Sequence, residues 1–322
     1  MSALLAVLVL FSSSVFAPVF ADVPRACPAA VKTFPFLKPW AEKLSNFAMP
    51  TAIGQASDSL LYSIGVTTAK KGVAELWMKD SGALKISSGK FETTFLGEPQ
   101  SKAQSGGWSR LWERYLAPVE RELLARCRPG HCKVKLNDHE VEAMGANTTN
   151  QGREALFRDI VRHRIENFKK SGMVAAYEGT TEALRWASLP LGRDFPNELG
   201  QSFTAPQVRN NYGFEVLDAQ PGKHKPVTAL FSRHCEKKQH GQSAYTACTD
   251  FVVYNNHYFD FWGRIVLFFP WCNGELVMVY ESADIDQLKG SRVARLVFGG
   301  EMRRLFGLLL EARLQRLHML GS

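Results

Sequence analysis

The chain has 322 residues, of which 45% are hydrophobic, 22% charged and 11% aromatic. This composition is that of an ordinary globular protein, and it excludes collagen-like, coiled-coil and largely disordered chains. The formal net charge of +8 favours anionic partners, but the sequence has no dense basic run interleaved with aromatics and no zinc-finger or RNA-recognition signature. We therefore expect that the protein does not bind nucleic acid. The partner of such a basic protein is expected to be an anionic small molecule or an anionic membrane surface.

The first 21 residues have the features of a secretory signal peptide. They carry no charged side chain, are apolar over residues 4–11, and end in Val19-Phe20-Ala21, which suits signal peptidase. The alternative is a short membrane anchor, although the apolar run is short for a membrane span. The sequence thus predicts a secreted or periplasmic protein.

Six cysteines follow the predicted leader, and an even number in an oxidising compartment favours disulfide bonds. Sequence alone allows 15 pairings. Proximity along the chain predicts two pairs, Cys127 with Cys132 and Cys235 with Cys248, which leaves Cys27 to pair with Cys272. The alternative is a metal site, because His131, His234 and His240 lie close to these cysteines, but the spacing lacks the pattern of zinc modules. No motif in the sequence calls for a cofactor.

Residues 22–107 are predicted to form an N-terminal region that contains β-strands. A short helix is expected at 41–47, and runs such as 73–79 and 90–96 read as strands separated by glycine-containing turns. Residues 98–107, rich in polar and small side chains, are the best candidate for a linker, and a hairpin loop is the alternative.

Two helices are predicted at the start of the second region, residues 108–322. The first begins near Ser109 and must break or kink at Pro118. The second is capped by Thr149 or Asn150 and is expected to end at Ser171-Gly172. Its other face is basic and predicted to be solvated rather than an anion site; it carries Arg153, Arg158, Arg162, Lys169 and Lys170. Asn147-Thr148-Thr149 is a glycosylation sequon, which matters only in a eukaryotic source.

The clearest pattern is an antiparallel meander near the C-terminus. Four strand-like runs occupy residues 227–231, 249–261, 264–271 and 275–281, with a hairpin turn at Asn273-Gly274. The run 265–269 is apolar at every position, which predicts a strand covered on both faces. A long helix with an apolar face follows over residues 293–317.

These elements predict an α+β fold in which the meander packs against the long C-terminal helix. A smaller β-containing region and two or three helices precede it, and the alternative is that both regions form one domain. The arrangement resembles that of helix-grip proteins, which hold apolar molecules between a curved sheet and a terminal helix. This resemblance is architectural and covers only about the last 100 residues.

A ligand site is predicted on the second strand of the meander. Residues 251–271 hold nine aromatics, and alternation along one strand would place Asn255 and His257 among Phe259, Phe261 and other apolar residues. An aromatic wall with a few polar groups is typical of a ligand pocket. The alternative is a sheet core in which neighbouring groups satisfy both polar side chains.

Three functions are consistent with these features. The first is a binding or carrier protein for a mostly apolar, lipid-like ligand, oriented by Asn255 and His257. The second is a secreted hydrolase that combines His257 with carboxylates of the turn at residues 281–286, such as Glu281, Asp284 and Asp286, although no nucleophile motif supports it. The third is a disulfide-stabilised envelope or interaction protein without a small-molecule site. We favour the carrier, and therefore a protein that is not an enzyme.

Overall fold

A computed structural model describes residues 26–46, 49, 51–55, 60–86, 89–97, 106–176, 211–218, 225–257, 259–285 and 292–320. Within these ranges, the burial of side chains is described except at 54–55, 86, 171–176, 260–261 and 292–298. The predicted leader at 1–21 and most of the predicted linker at 98–107 lie outside the described residues.

The described residues form eight α-helices and nine β-strands. The helices are α1 Pro28–Thr33, α2 Lys38–Asn46, α3 Val73–Met78, α4 Gly106–Tyr115, α5 Pro118–Ala125, α6 Asp138–Ala146, α7 Asn150–Ala176 and α8 Arg292–Leu320, with a 3-10 turn at Pro35–Leu37. The strands are β1 Thr51–Gln55, β2 Leu60–Lys70, β3 Gly82–Ile86, β4 Gly89–Gly97, β5 Asn211–Asp218, β6 Val227–His240, β7 Ser243–Asn255, β8 Phe259–Trp271 and β9 Gly274–Ile285.

All nine strands belong to one antiparallel sheet in the order β1-β2-β9-β8-β7-β6-β5-β4-β3. The sheet curls into a half-barrel, and the C-terminal helix α8 packs on it. The predicted α+β class and the meander of β6 to β9 are therefore confirmed. Strands from before residue 98 flank this meander on both sides, so the meander is the centre of a larger sheet.

The two faces of the sheet pack against different helices. One face, which we call the α8 face, carries Val252 and Trp262 against the apolar side of α8. The opposite face carries Phe251, Ile265 and Leu267 against a layer that includes α4 and α7. Residues 265–269 of β8 are thus buried on both sides of the sheet, as their continuous apolar sequence predicts.

Several element predictions are wrong. The run 73–79 holds helix α3 at Val73–Met78 rather than a strand, because Val73 and Trp77 are one helical turn apart and bury the same face. Helix α7 continues past Ser171-Gly172 to Ala176. A single glycine lowers helix propensity by only about 1 kcal/mol, so it does not end a long helix unless it adopts the left-handed conformation of a C-cap.

Local signals at other helix ends are confirmed. The helix predicted from Ser109 is divided before Pro118, which begins α5. The Thr149 hydroxyl accepts a hydrogen bond from the Gly152 amide at 3.0 Å and so caps α7. The hairpin between β8 and β9 lies one residue earlier than predicted, because Trp271 pairs with Gly274 across the turn.

All three predicted disulfides are present: Cys27–Cys272, Cys127–Cys132 and Cys235–Cys248. They take up every sulfur that the alternative metal site would have used, and the described residues hold no group of three or more metal-ligating side chains. Three disulfides fit an oxidising extracellular or periplasmic environment. None of the described helices combines the length and the apolar character needed to cross a membrane.

Candidate functional site

A row of charged residues crosses the α8 face of the sheet. In the strand register, Arg233 of β6 faces Asp250 of β7, Asp250 faces Arg264 of β8, and Arg264 faces Glu281 of β9. Directly paired residues of neighbouring strands point to the same face. Positive and negative charges therefore alternate across four strands.

Two further charges complete this ion-pair network, which consists of Arg233, Asp250, Arg264, Glu215, Arg313 and Glu281. Arg313 of α8 donates to Glu281 at 2.5 Å and to Glu215 of β5 at 2.7 Å. Glu215 also accepts from Arg264 at 2.7 Å. All six side chains are at most 2% exposed. The network therefore joins α8 to strands β5 to β9 in the interior.

The two glutamates of the network differ in their electrostatics. Burial alone would raise the pKa of Glu215, but the adjacent Arg264 and Arg313 lower it to about 2. Burial raises the pKa of Glu281 above its ordinary value, against the opposing effect of the same two arginines. Glu281 also accepts a hydrogen bond from the Trp262 indole. Every carboxylate here has a cationic partner, which is the arrangement of a structural network.

The structure separates the predicted polar residues, because Asn255 pairs with Ala229 of the core against α8, whereas the His257 side chain contacts α5. The strand expected at 249–261 is interrupted, since β7 ends at Asn255 and β8 begins at Phe259. Asn255 donates through Nδ2 to the Phe259 carbonyl at 3.0 Å. His257 lies 2.9 Å from Glu120 of α5 through Nε2, and 3.2 Å from the Lys133 carbonyl through Nδ1. Both residues are therefore engaged by protein groups.

The remaining predicted site residues are dispersed. Phe259 lies on the α8 face, with its ring centroid 4.9 Å from that of Trp262, while the side chain of Phe261 is outside the described part of the chain. Glu281 belongs to the ion-pair network, and Asp286 lies outside the described residues. Asp284 is 2% exposed, and it points away from the α8 face because Ala283 and Ile285 beside it point towards that face. The structure thus brings neither Glu281 nor the aromatic wall to His257.

A cavity of about 560 Å³ lies where α5, α6 and α7 meet, and we call it the basic cleft. Its volume is within the range of about 300–1,000 Å³ that is typical of small-molecule sites. Among the residues that the structure describes, four permanently charged cations and one histidine line it, and no aspartate or glutamate does. These residues are Leu123, Ala125, Arg126, Cys127, Arg128, His131, Lys133, Gly145 and Arg153.

Local structure explains the shape of this cleft. The Cys127–Cys132 disulfide closes a short loop directly after α5, and this loop carries Arg128 and His131. Across from it is Gly145 of α6, where an added Cβ would lie 3.8 Å from the Cys127 carbonyl oxygen. The loop backbone thus packs close to α6 at Gly145, which has no side chain to project into the cleft.

Of the four permanent cations in the cleft, only Arg126 has an acidic partner among the described residues. Arg126 is 3.8 Å from Glu122, and both side chains are largely exposed. Arg153 donates through Nε to the Met144 carbonyl at 3.4 Å, a neutral group. Within the described ranges, no carboxylate pairs with Arg128 or Lys133. Uncompensated positive charge around a cavity can bind an oxyanion through charge-assisted hydrogen bonds.

Sequence reasoning missed this cleft. Arg153 was expected on a solvated helix face, and His131 was considered only as a metal ligand. The available signal was the high density of basic residues around the Cys127–Cys132 pair, where Arg126, Arg128, His131 and Lys133 occur within eight positions.

No protein family, curated protein or solved structure matches this chain.

Proposed function

We propose that this protein is a binding protein of the periplasm or the extracellular space that holds a small anionic molecule in the basic cleft. The observation that carries the proposal is a cavity of ligand size whose lining, in the described part of the chain, has four permanent cations and no carboxylate. Because an isolated cluster of like charges raises the free energy of the folded chain, a bound anion would offset that cost. The three disulfides and the predicted signal peptide support the compartment.

The test is native mass spectrometry of the full chain purified from its own host. The charge-reversal variant Arg128→Glu/Lys133→Glu changes the cleft. Its matched control, Lys85→Glu/Lys237→Glu, makes the same change in net charge at exposed positions on β3 and β6. We expect a co-purifying anion in the wild type and in the control, and its loss in the cleft variant. An anion that stays with the cleft variant, or a wild type with no bound molecule, would refute the proposal.

A lipid-like ligand between the sheet and α8, as in the helix-grip arrangement, is the competing proposal. It is supported by the curled sheet, by the long terminal helix and by aromatic residues such as Phe259 and Trp262 on the α8 face. The same face, however, holds the six buried charges of the ion-pair network, in which Arg313 joins α8 directly to the sheet where such a ligand would lie. An apolar molecule found in the wild type and in both variants would favour this competing proposal.

A hydrolytic function receives less support. General acid–base catalysis needs its groups within hydrogen-bond reach of the same reacting atom. Glu281 pairs with Arg313 on the α8 face, whereas His257 pairs with Glu120 of α5. We therefore favour binding over catalysis.

A further inference from the structure

The charge of the basic cleft allows its ligand to be described more closely. We infer that the ligand is a phosphate-type ester with two or more negative charges and a compact uncharged part. This inference rests on the proposed function and narrows it from any small anion to one chemical class.

The first argument is charge matching. If Glu122 compensates Arg126, three permanent positive charges remain in the cleft, on Arg128, Lys133 and Arg153. A phosphate monoester carries about 1.5 to 2 negative charges at neutral pH, whereas a monocarboxylate carries one. Helix α7, in which Arg153 lies near the N-terminus, has no acidic residue in its first turn, so its positive end adds to the same potential. The cleft therefore compensates a dianion better than a monoanion.

The second argument is the number of donors. The Nε of Arg153 is occupied by Met144, but its two terminal nitrogens are available for another acceptor. Arg128 offers a complete guanidinium fork, and Lys133 offers an ammonium group. A phosphate presents three acceptor oxygens in a tetrahedral arrangement, while a carboxylate presents two in one plane. Donors from three separate chain segments are more readily satisfied by the tetrahedral group.

The third argument is the uncharged part of the lining. Leu123 and Ala125 of α5, Gly145 of α6 and Cys127 form a part of the lining without charge. Free inorganic phosphate would leave this part of the lining in contact with water. An uncharged substituent on the phosphate would bury apolar surface there, which stabilises the complex by about 25 cal/mol per Å².

The test is isothermal titration calorimetry of the full chain with four probes at matched ionic strength. The probes are acetate, inorganic phosphate, pyrophosphate and phenyl phosphate. We expect pyrophosphate and phenyl phosphate to bind at least about tenfold more tightly than acetate, since each additional charge-assisted hydrogen bond contributes that much or more. Phenyl phosphate should also bind more tightly than inorganic phosphate.

Two variants connect binding to the cleft. Arg128→Gln removes a charge and a donor fork, and we expect it to weaken phenyl phosphate binding about tenfold. Gly145→Leu fills the space opposite the disulfide loop without changing charge, and it should weaken phenyl phosphate more than inorganic phosphate. Lys85→Gln on β3 is the control and should leave both affinities unchanged.

A soluble ester and a phosphate headgroup of a lipid share this chemistry. Co-sedimentation with phosphatidylcholine vesicles, with and without phosphatidic acid, separates the two sources. If Arg128→Gln abolishes sedimentation that depends on phosphatidic acid, the source is a lipid headgroup. If phenyl phosphate binds and no vesicle sediments the protein, the source is a soluble ester.

The outcomes distinguish anion binding in the basic cleft from the narrower inference that the anion is a phosphate ester. If acetate binds as tightly as pyrophosphate and Arg128→Gln weakens both, the cleft binds anions but the phosphate class is wrong. If none of the probes binds, or if Arg128→Gln binds as the wild type does, the phosphate inference is overturned. In that case, an anion found by native mass spectrometry and lost in Arg128→Glu/Lys133→Glu would still support the proposed function.

Discussion

His257 and Glu120 form a buried pair in which Nε2 of the imidazole lies 2.9 Å from Oε1 of the carboxylate. The two side chains are only 4% and 5% exposed. The other ring nitrogen of His257 is 3.2 Å from the carbonyl oxygen of Lys133, which lines the basic cleft. The pair thus connects the end of β7 to the segment that carries the cations of the cleft.

This connection predicts that His257 positions the cleft without contacting the ligand. His257→Leu would remove both hydrogen bonds and leave the buried Glu120 carboxylate without this hydrogen-bond partner. We expect a loss of about 3 kcal/mol in the free energy of unfolding, measured by urea denaturation. We also expect several-fold weaker binding of pyrophosphate to the folded protein, because the Lys133 backbone loses its anchor.

The conservative variant His257→Gln tests the positioning role. Its amide can still donate one hydrogen bond to the Lys133 carbonyl, so it should recover part of the affinity even where stability stays low. His139→Gln, at an exposed position on α6, is the control. If His257→Leu lowers stability and leaves pyrophosphate affinity unchanged, His257 has a structural role only.

The ion-pair network predicts a large effect at Arg313. In Arg313→Met, the carboxylates of Glu281 and Glu215 lose their partner on α8 while remaining buried. Breaking a buried pair from one side costs about 3–5 kcal/mol, and urea denaturation measures this loss. Arg304→Met removes an exposed pair with Glu301 on the same helix and should cost less than about 1 kcal/mol.

The double variant Arg313→Met/Glu281→Gln separates lost attraction from stranded charge. A neutral glutamine needs no cationic partner, so we expect the double variant to be more stable than Arg313→Met alone. If the unfolding free energies lost in Arg313→Met and in Glu281→Gln simply add up in the double variant, the burial of an unpaired carboxylate is not the cause of the destabilisation.

Glu215 predicts a specific dependence of stability on pH. Its pKa in the folded protein is about 2, below the ordinary value of 4.5, because Arg264 and Arg313 outweigh burial. A lowered pKa contributes stability that is complete above about pH 4.5 and is lost as the pH falls towards about 2. The size of this contribution is on the order of 3 kcal/mol.

Comparison of the wild type with Glu215→Gln isolates this contribution. We expect the difference in unfolding free energy to be largest above pH 4.5 and to shrink towards pH 2, as measured by urea denaturation at a series of pH values. Glu281 contributes the opposite trend, since burial raises its pKa, and the Glu215 charge adds to that rise, so Glu215→Gln also weakens the opposing trend. A difference that stays constant over this range would contradict the low pKa of Glu215.

The sequence predicted what local signals determine. Pro118 divided two helices, Thr149 capped a third, and the Cys127–Cys132 pair followed from proximity. It did not predict the contact between Glu215 and Arg313, because these residues are 98 positions apart and meet only when the sheet curls around α8. The cleft was missed for the same reason, since its lining comes from three separate helices and a loop.

The placement of His257 shows how one local error moves a whole site. Alternation along an uninterrupted strand would have put His257 on the same face as Phe259. In the structure, Asn256 pairs with Thr228 at the start of β6 and forms a bend, and β8 begins only after it. The bend was not visible in the sequence because its partner lies 28 residues away.

The disulfides predict opposite effects on stability and on binding. The Cys127–Cys132 bond spans only 5 residues, whereas Cys27–Cys272 spans 245. In the chain-entropy model, removing the short one costs about 2 kcal/mol and removing the long one about 5 kcal/mol. We therefore expect Cys27→Ala/Cys272→Ala to be much less stable in urea than Cys127→Ala/Cys132→Ala.

We expect the two disulfide variants to rank in the opposite order for ligand affinity, with the larger loss in Cys127→Ala/Cys132→Ala. The Cys127–Cys132 bond holds the loop that carries Arg128 and His131, so its removal adds the entropy of ordering this loop to the cost of binding. We expect calorimetry to give weaker pyrophosphate binding for Cys127→Ala/Cys132→Ala, and nearly wild-type binding for folded Cys27→Ala/Cys272→Ala. Equal affinity in the two variants would mean that the disulfide does not preorganise the cleft, since the loop would then keep its shape through the contact between Lys133 and His257 alone.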